Sequence, residues 1–271
     1  MARELGVKLG LGGGKPATSG GAPPAPAASP VTRQSDLVGW WKFNESSGTN
    51  AADSSVTGNT GTLQNMADSD WVAGKSAAFG NCLEFDGTDE YVSIPANGAY
   101  PTTGSFSVSA WLNSAGLPKD GSHVNLILQT VNYYVTGVNS TFSFFFNQTA
   151  QSLNLHSYGR RGHADDGQTL TSTNPQTTYA ITLDNWHQVG FVYDASANTT
   201  QLYLAGATLG GTASVNSSSD LGAGEDNGFL VANDRGLYFL GGKVDDVRIY
   251  GVALTSANMA SIYGSGNGDW A

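Results

Sequence analysis

Cysteine is nearly absent from this 271-residue chain: Cys82 stands alone, so no intrachain disulfide can form and stability has to come from packing or a bound metal. Its place in the apolar run Cys82-Leu83-Glu84-Phe85 predicts a buried thiol. Charge is also scarce, at 13% of residues, and the twelve cations are scattered against 22 acidic residues for a net charge of -10. No basic stripe exists that could neutralise a phosphate backbone, so nucleic acid is excluded as an expected partner. No run approaches the about 20 apolar residues of a membrane-spanning helix, and membrane insertion is not expected. The N-terminus, MARELGVKLGLGGGKP, lacks the apolar h-region of a secretory signal, so the expectation is either a processed precursor or export by another route.

Catalytic templates are missing as well. There is no G-x-S-x-G elbow and no H-E-x-x-H pair. The glycine run near the N-terminus fails as a phosphate loop, because Leu9 stands where the first glycine belongs and Pro16 where a magnesium-binding Ser or Thr belongs. His156, His163 and His187 are too far apart in sequence to argue for zinc.

What remains is glycine, small polar residues and aromatics. Residues 1–36 form a Gly, Ala and Pro-rich arm with too little apolar surface to fold alone, expected to act as a tether to a neighbouring subunit. From Leu37 the pattern changes to strands of alternating polarity broken by Gly, Asn, Asp and Ser turns, the signature of an antiparallel sandwich. In FSVSAWL, Phe106, Val108, Ala110 and Leu112 share one face and Ser107, Ser109 and Trp111 the other, which reads as a half-buried strand. LYLAGATL reads as a hairpin turning at Ala205-Gly206, and VNLILQTV and TFSFFFN as strands near a sheet centre. FDGTDEY reads as a hairpin turn. A long polar insertion is expected at about Tyr158 to Gln176. One helix is expected in LTSANMASIYG, capped by Thr255 or Ser256, burying Met259 and Ile262 and ending at Gly264.

Five segments carry a resemblance: LVGWWKFNESSGTNAADSSVTGNTGTL from Leu37, CLEFDGTDEYVSI from Cys82, FSVSAWL from Phe106, WHQVGFVYD with LYLAGATL, and GGKVDDVRIYGVALT from Gly241. In order and wording the set resembles the laminin G-like, concanavalin A-like lectin/glucanase jelly rolls over roughly residues 37–265. The resemblance implies an all-β fold, an antiparallel β-sandwich jelly roll at 37–265, preceded by the extended arm at 1–36, closed by one short C-terminal helix and followed by a tail at 266–271. It also implies that the first loop and the last strand are spatial neighbours. Irregular Asp/Asn loops suit calcium, so Asp53, Asn59, Asp245 and Asp246 are the candidate Ca²⁺ ligands, with no other cofactor expected. The alternative is that these carboxylates satisfy turn amides.

Glu84-Phe85-Asp86 faintly resembles the carboxylate strand of glucanases of this fold, but Thr88 occupies the third alternate position and Gly87 interrupts the strand, which removes most of the support for hydrolysis. Carbohydrate binding has better support, since sugar C–H faces stack on rings and hydroxyls seek polar neighbours. Trp111, Tyr133, Tyr134, His156, Tyr158 and Arg160 are the candidate residues, while Trp40, Trp41 and Trp186 are expected to pack internally. The combined expectation is a non-enzymatic decoration protein on a virion surface, most plausibly of a bacteriophage, held to other assembly subunits by its arm and adhering to cell-surface glycan. An extracellular, secreted bacterial polysaccharide-binding module is the alternative, and a glycan-cleaving enzyme the third.

Overall fold

The computed structural model describes residues 32–100, 104–115, 124–130, 141–149, 152–160, 169–170, 182–214, 228–234, 238–266 and 268. Arm residues 1–31, Tyr133, Tyr134 and most of the polar insertion lie outside the described residues. In chain order the strands are β1 (Leu37–Trp41), β2 (Asn50–Ala51), β3 (Gly61–Gln64), β4 (Trp71–Ala73), β5 (Asn81–Asp86) and β6 (Tyr91–Ile94). There follow β7 (Phe106–Ser114), β8 (Val124–Thr130), β9 (Thr141–Thr149), β10 (Ser152–Arg160), β11 (Thr169–Leu170) and β12 (Trp186–Asp194). The last are β13 (Thr199–Leu204), β14 (Ala207–Ser214), β15 (Phe229–Val231), β16 (Asn233–Asp234), β17 (Tyr238–Phe239) and β18 (Gly241–Tyr250), before helix α1 (Ser256–Tyr263).

Apart from the short β16–β17 pair, the strands form two antiparallel sheets. The first runs β14-β13-β12-β7-β18-β5-β4, with β1 paired to the second half of β18; the other runs β11-β10-β9-β8-β15-β6-β3-β2. Alternating apolar positions face inward from both: Trp41, Leu83, Phe85, Phe106, Val108, Leu112, Phe191, Val244 and Ile249 from the first sheet meet Leu63, Val92, Ile94, Phe229 and Val231 from the second. The sandwich jelly roll and its single described α-helix agree with the reading of the sequence, and β8 and β9 do sit in the interior of their sheet.

Two local expectations change. Asp86 to Tyr91 is a corner rather than a hairpin, because β5 belongs to the first sheet and β6 to the second. Gly87 takes φ 73° there, the Asp86 carboxylate accepts the Thr88 amide at 2.6 Å, and Glu90 reaches back to accept the Asp86 amide at 2.6 Å. The other is β7, buried on both faces rather than half-buried. A second apolar cluster covers the outer face of the first sheet, formed by Leu37, Trp40, Val192, Tyr203, Tyr250, Leu254, Met259 and Ile262.

Helix α1 builds that cover. An eight-residue helix is marginal alone, but Thr255 Oγ1 accepts the Asn258 amide at 3.2 Å, Gly264 ends it at φ 55°, and Met259 and Ile262 are fully buried beneath it. Burial of each of these two side chains stabilises the packing by about 1.5–3 kcal/mol. Gly190 of β12 makes room, since a Cβ there would run into the Met259 methyl. The polar residues of the outer face are also used: Ser107 Oγ donates to Val252 O at 2.8 Å and accepts the Leu254 amide at 2.9 Å, and Gln188 joins Ser109 Oγ at 2.8 Å to the Gly206 amide at 2.9 Å.

The β13–β14 hairpin turns through Ala205 and Gly206, with Leu204 paired to Ala207 and both turn residues in the left-handed region at φ 50° and 72°. Asn-Gly suits such a turn, whereas an alanine there is strained by about 1–2 kcal/mol. Ala205 is exposed, so Ala205→Asn should stabilise the domain by about 0.5–1 kcal/mol. A thermal melt checks this, and an unchanged or lower midpoint would count against the strain.

Candidate functional site

The outer faces of the two sheets differ. That of the first carries a closed polar knot. Between Asp245 and Arg248 the register of β18 against β7 slips by a bulge, with Asp246 at φ 49°. Asp246 Oδ1 accepts from Trp40 Nε1 at 2.7 Å and from Arg248 Nε at 2.7 Å, and all three residues are buried. The Arg248 guanidinium lies 4.6 Å and the Lys42 amine 4.0 Å from the centre of the Trp40 ring. Burial, with Arg248 nearby, lowers the Lys42 pKa. Asp245 is wholly buried, and burial aided by the Asp246 charge pushes its carboxyl up to about 9. Burial likewise raises the Cys82 thiol to about 12; its Sγ lies 3.6 Å from Ala73 O.

Trp111 belongs to this closed side. It is 1% exposed, edge-on to Phe79 with centroids 5.0 Å apart and stacked on Tyr263 at 5.8 Å. Its ring is therefore not offered to a sugar, which corrects that expectation: strand alternation puts Trp111 on the outer face, and Tyr263 of α1 and Phe79 of the β4–β5 turn then cover it. Trp40 and Trp41 are buried as expected, and Trp186 is half-buried.

Three of the four expected calcium ligands, Asp53, Asn59 and Asp246, are engaged by other groups of the protein. Among the described residues no three His, Cys, Asp or Glu side chains surround a common centre. Asp53 is committed to its own turn: Oδ1 accepts the Trp40 and Ser55 amides, both at 2.8 Å, and Oδ2 accepts Ser55 Oγ at 2.9 Å, Thr57 Oγ1 at 2.8 Å and the Asn59 amide at 2.7 Å. Asn59 is engaged too, its Nδ2 donating to Pro95 O at 2.8 Å and to the Tyr100 hydroxyl at 2.5 Å. Burial raises the pKa of that hydroxyl.

The outer face of the second sheet is solvent-accessible at its β2, β3 and β6 end, while Leu230 of β15 on the same face is buried. Pairing places Asn50, Thr62, Ser93, Leu230, Gln129, Ser143 and Tyr158 in one row across β2, β3, β6, β15, β8, β9 and β10. Six steps between strands, at about 4.8 Å each, make that row about 29 Å long. Asn50 and Thr62 are exposed, and Ser93, Gln64 and Tyr91 are half-buried. Tyr91 lies beside Ser93 on the same face, its ring centre 6.4 Å from that of Phe239. His156, Tyr158 and Arg160 are alternate positions of β10 and so share this face, opposite Phe145, Ser143 and Thr141 of β9.

The structure thus brings three of the six expected carbohydrate-binding positions to one strand face and joins to them Tyr91, Ser93, Thr62 and Gln64, which sequence reasoning missed. The alternation in Tyr91-Val92-Ser93-Ile94 held the signal. An open face with rings and short polar side chains can stack on sugar C–H surfaces and exchange hydrogen bonds with hydroxyls. The glucanase-like pair is differently engaged: Glu84 lies 3.8 Å from Lys243, and Asp86 holds its corner.

Solved structures repeat this architecture. Domain 4 of an extracellular arabinanase from Geobacillus stearothermophilus, in complex with arabinotriose, superposes with a TM-score of 0.56 at 15% identity, covering 83% of this chain and 97% of that one. The sialidase of Trypanosoma rangeli gives 0.59 at 15% identity, covering 87% of this chain and 34% of the sialidase. The binding domain of Paraclostridial mosquitocidal protein 1 gives 0.55 at 14%, covering 86% and 52%. At these identities the likeness is one of fold. No curated protein sequence matches the chain. The laminin G model of the concanavalin A-like lectin/glucanases superfamily matches residues 86–260, and with that match spanning more than half of its length the chain belongs to this superfamily.

Proposed function

We propose that this chain is a non-enzymatic glycan-binding module whose reading surface is the open face of the second sheet. The observation that carries the proposal is the asymmetry of the sandwich: one sheet is capped by α1 and a second apolar cluster, while the other leaves Thr62 exposed and Tyr91, Ser93 and Gln64 half-exposed, on the face that strand pairing shares with the Tyr158 position. The arabinotriose complex of the arabinanase domain is in keeping with it. The non-enzymatic reading has support in Glu84 and Asp86, which serve an ion pair and a corner. Screening the full chain on a glycan panel, with release of reducing ends measured in parallel, tests both parts. Binding without release is the expected result; release of reducing ends would put a glycan-cleaving enzyme in its place.

Residues 1–36 we read as the tether, and attachment to an assembly, a virion surface in the reading taken from the sequence, as the setting. Single-face sugar contacts are weak, and many tethered copies convert them into avidity. Deleting residues 1–35 should leave a folded, soluble domain, since β1 begins at Leu37, and should abolish incorporation into particles. Normal occupancy by the truncated chain would remove the tether and favour the extracellular polysaccharide-binding alternative.

A further inference from the structure

Charge is divided unequally between the two sheets. Among the described residues the cationic side chains are those of Arg33, Lys42, Lys75, Lys243 and Arg248, which stand in or beside β1, β4 and β18, all strands of the first sheet. Each is engaged there: Arg33 with Asp36 at 2.7 Å, Lys42 over the Trp40 ring at 4.0 Å, Lys75 with Gly266 O at 2.5 Å, Lys243 with Glu84 at 3.8 Å and Arg248 with Asp246 at 2.7 Å. Where β6 of the second sheet begins, carboxylates gather instead. Asp89 and Glu90 lead directly into Tyr91, and Asn65 Nδ2 donates to Asp89 O at 3.0 Å, which fastens the corner to the end of β3. Burial raises the Glu90 pKa and the charges of Asp70, Asp86 and Asp89 add to the rise, against the Asp86 amide that Glu90 accepts; among the described residues no cation acts on it. Asp86 and Asp89 are exposed, so their charge reaches the solvent over this end of the sheet.

Tyr91, with the Phe239 ring centre 6.4 Å away, is the ring at this end on which a sugar can stack, and Gln64, Thr62 and Ser93 are the polar groups beside it. A sugar hydroxyl meets the carboxylates as a donor meets an acceptor, whereas a sugar carboxylate meets like charge with no counter-ion. The Arg160 position is too distant to offset them. Strand β10 lies four steps from β6, about 19 Å at about 4.8 Å each, and exposed charges are screened over about 8 Å at physiological salt. We propose that the Tyr91 end of the second sheet takes a neutral saccharide unit and rejects sugars that carry a carboxylate, such as uronates and sialates, with Asp89 and Glu90 setting the preference. This inference rests on the glycan-binding reading and adds to it the class of sugar. Stacking and hydroxyl contacts supply the attraction, and like charge supplies the refusal.

The test uses the full chain in binding titrations against gluco-, galacto- and manno-oligosaccharides, each beside the uronate oligomer of the same length and linkage, at low and at high NaCl. The neutral member of a pair is expected to bind about tenfold or more tightly than its uronate partner at low salt, and the gap should narrow at high salt, where screening shortens the reach of the carboxylates. Asp89→Asn should narrow the gap about threefold at low salt while leaving the melting temperature unchanged, because Asp89 is exposed and its bond to Asn65 uses the main-chain oxygen. Asp184→Asn, an equal loss of charge at an exposed position beside β12 of the first sheet, should leave the gap as it is. Equal or tighter binding of the uronates, a gap that Asp89→Asn does not change, or a gap that Asp184→Asn narrows as much would each overturn the preference and leave glycan binding standing. Binding to no member of any pair would overturn the preference and the glycan-binding reading together.

Discussion

Arg248→Leu should destabilise the domain by about 3–5 kcal/mol, the cost of leaving a buried charge without its partner. Asp246 is that charge. It holds the Arg248 Nε at 2.7 Å and the Trp40 indole at 2.7 Å, and Arg248 itself lies over the Trp40 ring, all out of contact with solvent. For a domain of this size each kcal/mol moves the midpoint by about 2–4 °C, so a melt should fall by about 10 °C or more. Arg248→Lys should recover little, because an ammonium can neither lie flat on the indole nor keep the guanidinium geometry toward the carboxylate. A loss under about 1 kcal/mol for Arg248→Leu would mean that water reaches the knot and screens it.

Changing Tyr158 and Arg160 together to Ala should weaken glycan binding about tenfold or more while leaving the melt within about 1 kcal/mol, and Tyr91→Ala should act in the same direction from the other end of the face. The positions lie on β10 and β6, separated by β9, β8 and β15, so a ligand touched by both has to run across the strands. Loss of a stacking contact and a hydrogen bond is worth about 1–2 kcal/mol, and each 1.4 kcal/mol is a factor of ten. Binding isotherms of the single, double and combined variants against one oligosaccharide separate this from a site confined to a loop, for which Tyr91→Ala would change nothing.

Period-two alternation carried most of the architecture, since a strand with one inward face writes that face into every second residue. The helix was legible for a similar reason: Thr255, Met259, Ile262 and Gly264 are a cap, two buried positions and a left-handed stop at helical spacing. Alternation does not say what covers the second face. By alternation Trp111 stands on an outward position, yet its ring lies beneath Tyr263 and Phe79. That cover comes from α1, after β18, and from the turn before β5. Corners were equally hidden, because Asp86-Gly87-Thr88 satisfies its amides in the same way whether the chain folds back beside itself or crosses to the opposite sheet. The bulge at Asp246 left no mark in the sequence either, as Asp245-Asp246 reads as a simple acidic pair until the register slip against β7 separates their roles.

The glycan-binding account is tested most directly by a crystal structure of the chain soaked with the oligosaccharide that binds best on the panel. The account predicts sugar density lying across the second sheet, over Tyr91 and Ser93 and extending toward Tyr158. Density seated at a loop rim or on the α1 side, with that face left bare, would contradict it.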